Sequence, residues 1–499
     1  MSYSHYDRLS AIDAMFLAVE DSAVHMHVGA VGIFAGGPLL NAQGTLDFDR
    51  VKATSEASLR KVPRFRQRLT YTPVTGQPMW IDDDHFNLHY HLRHTSLPAP
   101  GDDRQLKRLA GRIMSQQLDR GKPLWELWFV EGLPERRFAV ITKVHHSMID
   151  GISGIDLMSS LMRLTPDDAI ERHDPWIPRP APSPGRLLAD DVVRRLSAPA
   201  HALYAGYRAL GAPGDTVRAA RDAVVGLGEA LLAGVTSASP TPLNVDIGPH
   251  RRFDWTRFDL EAVRTVKRRL GGTLNDVVLA VVTGAMRRFL RGRGLDPGAL
   301  NFRALVPVSI RSAAQHHTLG NQVSFLVAQL PVAARTPRER LRLVSETTQA
   351  LKSSKQSFGT EVLEEISDWT LPMIFAEYAR LGARSRAYNM VVTNVPGPPV
   401  PVYLLGAEML ASYPLVPLYT NQALGIALFS YHGGLFWGFN ADWDAVPDLH
   451  ELVEFVDAEF TQLLALAEST PEGPRCDAPI AAADSPEEPN RFRSEPKTG

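Results

Sequence analysis

The stretch ITKVHHSMIDGISG, which ends at Gly154, holds the residues of this chain best suited to acid–base chemistry. An apolar, β-branched run stops at two adjacent histidines, His145 and His146, and the pair Asp150-Gly151 follows. A neutral imidazole held in one tautomer at the end of a buried strand is suited to act as a general base. An aspartate in the turn that follows can bring its carboxylate back toward an imidazole or an arginine. The stretch therefore predicts a general-base site where a strand turns into a helix.

The two histidines are expected to have different roles. Adjacent residues of a strand point to opposite faces, so one of the pair faces the layer beneath and the other faces beyond it. Two other interpretations stay open, namely that both side chains only pack or cap, or that they bind a metal. The metal interpretation is the weaker one, because HExxH is absent and the only cysteine, Cys476, lies in a Pro-rich tail. No G-x-S-x-G sequence supports a serine hydrolase.

The elements around the histidines predict a mixed α/β N-terminal domain over residues 1–173. Alternating apolar residues indicate strands at 27–36 and 137–145. Apolar residues at three- and four-residue spacing indicate helices at 49–62 and 104–118, and the same spacing continues after Gly151.

A Pro-rich segment begins at residue 174 and separates this domain from the rest of the chain. Its proline density excludes a helix or a central strand over 174–185, so we expect an extended linker. Helical pieces at 186–210 and 216–235 follow and complete a crossover region over 174–250. Packing between the domains is the favoured role for these helices, and an interfacial membrane helix is the alternative.

A second α/β domain is expected over residues 251–468. A helix is predicted from Thr273, with Asn275 or Asp276 as its cap. Further patterns indicate strands at 301–311, 321–332 and 389–398, a helix at 337–354, a hairpin at 423–442 and a closing helix at 449–468. Residues 469–499 are rich in Pro, Glu, Ala and Ser and are expected to be disordered.

Composition narrows the class of protein. The chain has 53 basic and 55 acidic residues, and this balance argues against a dedicated nucleic-acid binder. A single cysteine suits a reducing cytoplasm and leaves no disulfide framework. No apolar stretch reaches the ~18 residues of a spanning helix, and charged residues interrupt the N-terminus where a signal peptide needs an apolar core. We therefore expect a soluble or peripheral protein.

The heptapeptide HHSMIDG, residues 145–151, has the HHxxxDG form of the CoA-dependent acyltransferase superfamily. Further blocks resemble, in the same order, those of the bacterial wax ester synthase/diacylglycerol acyltransferase family. These blocks are LSAIDAMFL (9–17), LDRGKPLWELWFVEGL (118–133), TLNDVVLAVVTGAMRRFL (273–290), LVPVSIR (305–311), LGNQVSFL (319–326) and VTNVPGP (392–398). The resemblance implies two α/β domains of similar, chloramphenicol-acetyltransferase-like topology, joined by a crossover linker, with the reaction site in a tunnel at their interface.

The activity that the resemblance implies is transfer of a long-chain acyl group from acyl-CoA to a hydroxyl. The preferred acceptor is diacylglycerol, giving triacylglycerol, and a fatty alcohol, giving a wax ester, or another hydroxyl lipid is the alternative. A non-catalytic lipid-binding protein is a further alternative. Acyl-CoA serves as a substrate and no cofactor is expected. We expect a cytoplasmic location, peripheral at the inner face of the membrane or on lipid bodies.

The resemblance also implies that His146 is the general base. From their positions we expect His145 to be structural, on the opposite face, and Asp150 to orient the site by an ion pair or hydrogen bonds. Asn275 is a candidate donor to the oxyanion, with a plain helix cap as an equal alternative. Arg311 pairs either with Asp150 or with CoA phosphates. The expected substrate-binding residues are Gly151, Pro123, Leu124, Trp125, Asp276 and Arg311.

Overall fold

The computed structural model describes residues 6–148, 160–170, 175–193, 237–309, 323–353 and 386–470. The strands are β1 (Tyr6–Arg8), β2 (His27–Ala35), β3 (Gln67–Tyr71), β4 (Pro78–Asp82), β5 (Leu92–Ser96), β6 (Trp125–Leu133), β7 (Arg137–His145), β8 (Arg251–Asp259), β9 (Arg303–Ser309), β10 (Val323–Gln329), β11 (Met390–Pro396), β12 (Tyr403–Leu404), β13 (Ala407–Leu415), β14 (Leu424–Tyr431) and β15 (Gly434–Asp442). The α-helices are α1 (Ala11–Val19), α2 (Phe48–Ser58), α3 (Leu88–His91), α4 (Asp103–Met114), α5 (Leu260–Leu270), α6 (Leu274–Gly292), α7 (Pro337–Ser353) and α8 (Leu449–Ser469). Short 3₁₀ turns lie at Gly37–Leu39, Pro63–Arg66, His146–Met148 and Pro297–Ala299.

The first six-stranded sheet has the order β12-β13-β2-β7-β6-β5. Its strand pairs are antiparallel except for β5 and β6, which run parallel. The strands expected at 27–36 and 137–145 are β2 and β7, and His27 lies opposite His145 in their register. Strands β12 and β13 come from the second half of the chain, so the predicted C-terminal domain of 251–468 contributes an edge to the first sheet. Strands β1, β4 and β3 form a separate three-stranded sheet, in that order.

The second six-stranded sheet has the order β10-β9-β11-β14-β15-β8. The pairs β9–β11 and β11–β14 are parallel, and the remaining pairs are antiparallel. The hairpin expected at 423–442 is β14 and β15, and its turn residues His432 and Gly433 both have positive φ, at 40° and 78°. This geometry matches the right-handed twist of paired strands. Helices α5, α6 and α8 pack with this sheet around one apolar core.

Helix α6 confirms the helix expected from Thr273 but corrects its cap. Thr273 is the N-cap, since its hydroxyl accepts the backbone N–H of Asp276 at 3.2 Å. In return, Oδ2 of Asp276 accepts the backbone N–H of Thr273 at 2.7 Å. This reciprocal capping box satisfies two N–H groups at once. The cap is therefore Thr273 and not Asn275 or Asp276.

The two sheets meet where β13 approaches β15. A Cβ at Gly438 would lie 1.8 Å from the carbonyl oxygen of Pro414, so only glycine allows this approach. Beside it the rings of Trp255 and Tyr413 stack with centroids 4.7 Å apart. The strand that completes the first sheet is therefore packed directly against the second sheet.

The described part of the linker, residues 175–183, contains neither helix nor strand, as expected for an extended segment, and residues 184–193 are helical. Arg179 ties it to the first domain, because its backbone N–H and its Nη2 each lie 2.9 Å from the Asp82 carboxylate. The rest of the predicted 186–210 helix, the 216–235 helix, the helix after Gly151 up to residue 159 and the tail beyond residue 470 lie outside the described residues. Within the described ranges, no helix is long and apolar enough to cross a membrane.

Candidate active site

The two histidines lie at the point where β7 ends. Strand β7 includes His145, and His146 begins the short 3₁₀ turn that follows. The backbone N–H of His145 donates to the carbonyl of Leu124 at 2.9 Å, and that of His146 donates to the carbonyl of Met26 at 2.7 Å. Hydrogen bonds to two different segments therefore fix the backbone at the turn.

His145 is fully buried. Its Nδ1 accepts the backbone N–H of Ser147 at 3.1 Å, and the Ser147 hydroxyl lies 2.7 Å from the same nitrogen. With Nδ1 acting as an acceptor, the ring proton is on Nε2. Nε2 faces Oε2 of Glu20 at 3.5 Å. The ring is thus held in one tautomer between its own turn and a carboxylate.

Glu20, directly after α1, is the centre of this buried polar cluster. Its Oε2 accepts from Nε and Nη2 of Arg120 at 3.0 and 2.7 Å, and its Oε1 lies 3.4 Å from Nε2 of His27. The backbone N–H of Met26 also donates to Oε1, at 3.3 Å. Burial alone would raise the pKa of Glu20, but the hydrogen bonds from His145 and Arg120, together with the positive charge of Arg120, lower it to about 2. Glu20 is therefore a buried anion at neutral pH.

Burial lowers the pKa of two basic groups near Glu20, His27 and Lys143. Burial and the charge of Lys143 lower the pKa of His27 well below its usual range. Burial also lowers the pKa of Lys143 to about 8. Nζ of Lys143 donates to the carbonyl of Ile113 at 3.0 Å and to that of Gln116, at the C-terminal end of α4, where backbone carbonyls lack helix partners.

His146 lies in a different environment. Its ring is half-buried and stacks on Phe16, with centroids 3.8 Å apart and an interplanar angle of 28°. Its Nδ1 is buried and has no hydrogen-bond partner among the described residues. Burial, together with the nearby His145, lowers the pKa of His146 to about 4. The imidazole is therefore neutral at pH 7 and available to accept a proton.

His146 lies at the junction of the two domains. Phe16, which stacks on it, and Met26, which accepts its N–H, belong to the apolar core of the second domain. That core includes Val277 and Val278 in the first turns of α6, close in sequence to Asn275. The side chain of His146, at the end of a strand of the first domain, therefore packs against the apolar core of the second domain.

Asn275 lies in the first turn of α6 and bonds to a neighbouring strand. Its Oδ1 accepts from Nδ2 of Asn394 in β11 at 2.8 Å. With the oxygen used in this way, the amide –NH₂ of Asn275 is the group left to donate. Asp276, in contrast, is buried within the domain: besides the capping box it accepts from the Thr348 hydroxyl at 2.6 Å.

The three residues of the PLW sequence lie in the interior of the first domain. Pro123, Leu124 and Trp125 are all buried. Nε1 of Trp125 donates to the carbonyl of Phe65 at 2.7 Å, and its ring stacks on His91 with centroids 4.5 Å apart. These contacts fix the start of β6, which pairs with β7, and the Leu124 carbonyl in turn fixes His145.

Asp150, Gly151 and Arg311 lie outside the described residues, so their expected roles stay predictions. Across the described ranges, no group of three or more His, Cys, Asp or Glu side chains is arranged to hold a metal ion.

Sequence reasoning missed Glu20, Phe16 and Asn394. Glu20 and Phe16 lie in or next to the block at 9–17, and nothing in this local sequence signals that Glu20 is buried. Asn394 lies in the block at 392–398 and becomes informative only when β11 is placed beside the start of α6.

The two sheet-rich α/β domains, which meet near the end of β7, give this chain a fold similar to that of solved condensation domains. A starter condensation domain of rhizomide synthetase covers 93% of this chain with a TM-score of 0.54 at 13% identity, a likeness of fold. The chain matches the wax ester synthase/diacylglycerol acyltransferase catalytic domain over residues 9–278 and the C-terminal domain of the same family over residues 319–464. The chain belongs to this family.

Individual relatives agree with this assignment along nearly the whole chain. A putative diacylglycerol O-acyltransferase from Mycobacterium tuberculosis is 32% identical over 477 residues, covering 94% of this chain and 92% of the relative. A probable diacylglycerol O-acyltransferase from the same species is 32% identical over 92% of this chain and 96% of its own length. The solved wax ester synthase/diacylglycerol acyltransferase from Marinobacter aquaeolei VT8 has a TM-score of 0.65 and 25% identity, covering 92% of this chain and all of that structure.

Proposed function

We propose that this protein transfers a long-chain acyl group from acyl-CoA to the hydroxyl of diacylglycerol, forming triacylglycerol and free CoA. The observation that carries the proposal is the neutral imidazole of His146, whose pKa of about 4 leaves it unprotonated at the junction of the two domains. Family membership supplies the substrate class, since the relatives are named for acyl transfer to diacylglycerol.

In the proposed reaction His146 accepts the proton of the acceptor hydroxyl as that oxygen attacks the thioester carbonyl. The new C–O bond gives a tetrahedral intermediate, and its collapse breaks the C–S bond. The imidazolium then returns the proton to the departing CoA sulfur, so the enzyme ends in its starting state. No acyl-enzyme is required, because both substrates are held together in a tunnel at the domain interface, which supplies the benefit of proximity.

The negative charge on the tetrahedral oxygen needs a donor, and Asn275 is the proposed one. Its bond to Asn394 orients the amide so that its –NH₂ group is the free end. A donor fixed before the reaction costs no reorganisation when charge develops, and removing one such donor typically lowers kcat by about 10²–10³-fold.

The remaining polar residues are proposed to position the base. His145 is held by Ser147 and faces Glu20, so the backbone that carries His146 starts from a fixed point. The proposed role of Asp150 is to hold the far side of the same turn. The PLW residues act by packing β6 against β7, and their proposed contact with substrate is through the shape of the tunnel wall.

Diacylglycerol is preferred over a fatty alcohol as acceptor because the mycobacterial relatives carry that name, whereas the Marinobacter relative carries both activities in its name. Both acceptors and the long acyl chain are poorly soluble in water. We therefore propose peripheral attachment to the inner face of the membrane or to lipid bodies in the cytoplasm, with acyl-CoA as the only activated substrate and no cofactor.

The test offers radiolabelled palmitoyl-CoA to the purified protein with dioleoylglycerol, hexadecanol or, as a control without a free hydroxyl, trioleoylglycerol. The proposal expects labelled triacylglycerol, less wax ester, and no product with the control. More wax ester than triacylglycerol would show that a fatty alcohol is the preferred acceptor, with the same mechanism. Absence of product with both alcohols would contradict the proposed activity.

A further inference from the structure

A cavity of about 570 Å³ opens on the outer side of the second domain. It lies between the C-terminal half of α6, the start of α7 and the middle of α8. Its charged lining consists of five arginines and one glutamate, namely Arg287, Arg288, Arg291, Arg335, Arg340 and Glu459. We call this cavity the arginine pocket.

Helical spacing brings the arginines together. Arg287 and Arg291 are four residues apart on α6, so they lie on one face of the helix, one turn from each other. Arg340 enters from the first turn of α7, and Arg335 precedes that helix. Three separate segments therefore place positive charge around one concavity.

The floor of the arginine pocket is a buried ion cluster. Glu459 is almost fully buried and pairs with Arg340 and with Nε of Arg288, the latter at 2.6 Å. A Cβ at Gly284 would lie 2.2 Å from Oε2 of Glu459, so a larger residue there would displace this carboxylate. One carboxylate thus serves two guanidinium groups. Nε of Arg340, on a side chain only 3% exposed, has no hydrogen-bond partner among the described residues.

Within the described ranges, the other three arginines of the pocket lack a carboxylate partner. Nη1 of Arg287 donates to the carbonyls of Val332 and Ala333 at 2.7 and 3.0 Å, which are neutral acceptors. Arg291 and Arg335 are exposed, and among the described residues no carboxylate forms an ion pair with either of them or with Arg287.

Glu339 is the acidic residue closest in sequence to Arg335, and its carboxylate already accepts a backbone hydrogen bond. The carboxylate of Glu339 accepts the backbone N–H of Arg335 at 3.2 Å. Burial lowers the pKa of Arg340; the ion pair with Glu459 opposes this shift, and the nearby charges of Arg287 and Arg288 add to it.

We infer that the arginine pocket binds a phosphate group. Guanidinium groups form paired, charge-assisted hydrogen bonds with phosphate oxygens, and several converging arginines are the usual protein solution for a doubly charged phosphate. The N-terminal end of α7 adds a favourable dipole at the same place. The ligand class is a phosphate monoester or diphosphate, carried either by a lipid headgroup such as phosphatidate or by a soluble phosphorylated molecule.

This site is separate from the candidate active site. Arg291 lies sixteen positions after Asn275 on α6, which corresponds to about 24 Å along the helix axis. None of the residues that line the arginine pocket has a proposed role in acyl transfer, so phosphate binding there is independent of that reaction.

The test uses the full chain and two probes at low ionic strength. Inorganic pyrophosphate is titrated calorimetrically, and flotation is measured with phosphatidylcholine vesicles with and without phosphatidate. The pocket variant is Arg291→Gln with Arg335→Gln. The matched control is Arg264→Gln with Arg268→Gln, two exposed arginines of α5 that already pair with Glu261.

We expect the pocket variant to lose about tenfold or more of its affinity, because charge-assisted hydrogen bonds to phosphate are removed, while the control stays within about twofold. Binding of pyrophosphate alone would identify a soluble ligand, and binding of phosphatidate vesicles alone would identify a lipid headgroup. Failure of the unmodified protein to bind either probe, an unchanged affinity in the pocket variant, or an equal loss in both variants would overturn the inference.

Discussion

Replacing Glu20 with glutamine removes the carboxylate charge that faces His145 and Arg120 while keeping the size of the side chain. The pKa of Glu20 falls from the ordinary 4.5 to about 2, although burial opposes this, because His145 and Arg120 favour the anion. A difference of about 2.5 units corresponds to roughly 3 kcal/mol at about 1.36 kcal/mol per unit. The side chain is 1% exposed, so solvent screening does not reduce this figure.

The pH dependence of this contribution follows from its sign. A carboxyl group whose pKa is lowered on folding stabilises the protein above its unfolded pKa, and the stabilisation disappears as the pH falls through the folded value. The Glu20 contribution is therefore complete at neutral pH, about 3 kcal/mol, and falls to about 2 kcal/mol near pH 3.5. Denaturant unfolding of the wild type and Glu20→Gln at several pH values measures this difference.

The matched control is Glu261→Gln, which removes an exposed carboxylate that pairs with Arg264 and Arg268. Exposed ion pairs contribute at most about 1 kcal/mol, so this variant should be nearly as stable as the wild type. A Glu20→Gln variant that loses less than about 0.5 kcal/mol at neutral pH would refute the idea that this carboxylate holds the cluster.

The pKa of about 4 for His146 predicts that kcat/KM rises with pH through an acidic limb near 4 and is flat above about pH 5.5, whereas a limb near 6.5 would show that the base is not held neutral by burial. Trp125→Phe should destabilise the protein by about 1–3 kcal/mol because a buried backbone carbonyl loses its donor, and Trp128→Phe, at a half-buried ring, should cost less; equal losses by thermal unfolding would contradict this. Gly438→Ala should prevent stable packing of the two sheets, seen as loss of soluble, cooperatively unfolding protein, and Gly292→Ala, where nothing lies within 4 Å, should be tolerated; a stable Gly438→Ala protein would disprove the close approach.

Local patterns in the sequence predicted local structure well. The strand predicted at 137–145 has those bounds in the structure, and the helix predicted at 449–468 ends one residue later. Periodicity and turn residues determine such elements within a few neighbours along the chain. The prediction of Asn275 or Asp276 as the cap of α6 was wrong. All three of Thr273, Asn275 and Asp276 are good capping residues, and only the reciprocal hydrogen bonds between Thr273 and Asp276 distinguish them.

Long-range pairing was not predictable in the same way. Strand β13 pairs with β2, although their sequences are separated by several hundred residues, and nothing in its alternating pattern specifies the partner. The polar cluster was unpredictable for the same reason, because it forms from distant parts of the chain. Glu20, Arg120 and His145 come together only in the folded protein. The histidine pair was identifiable from its sequence alone, but the carboxylate that His145 faces was not.

The central claim is that the neutral imidazole of His146 is the base in acyl transfer to a lipid hydroxyl. The most direct test measures kcat with palmitoyl-CoA and the better acceptor for His146→Ala, with His85→Ala, at a histidine that is 91% exposed, as the control. We expect a loss of about 10²–10⁴-fold in kcat for His146→Ala, with unchanged unfolding behaviour, and wild-type turnover for His85→Ala. Turnover by His146→Ala within a few-fold of the wild type would contradict it.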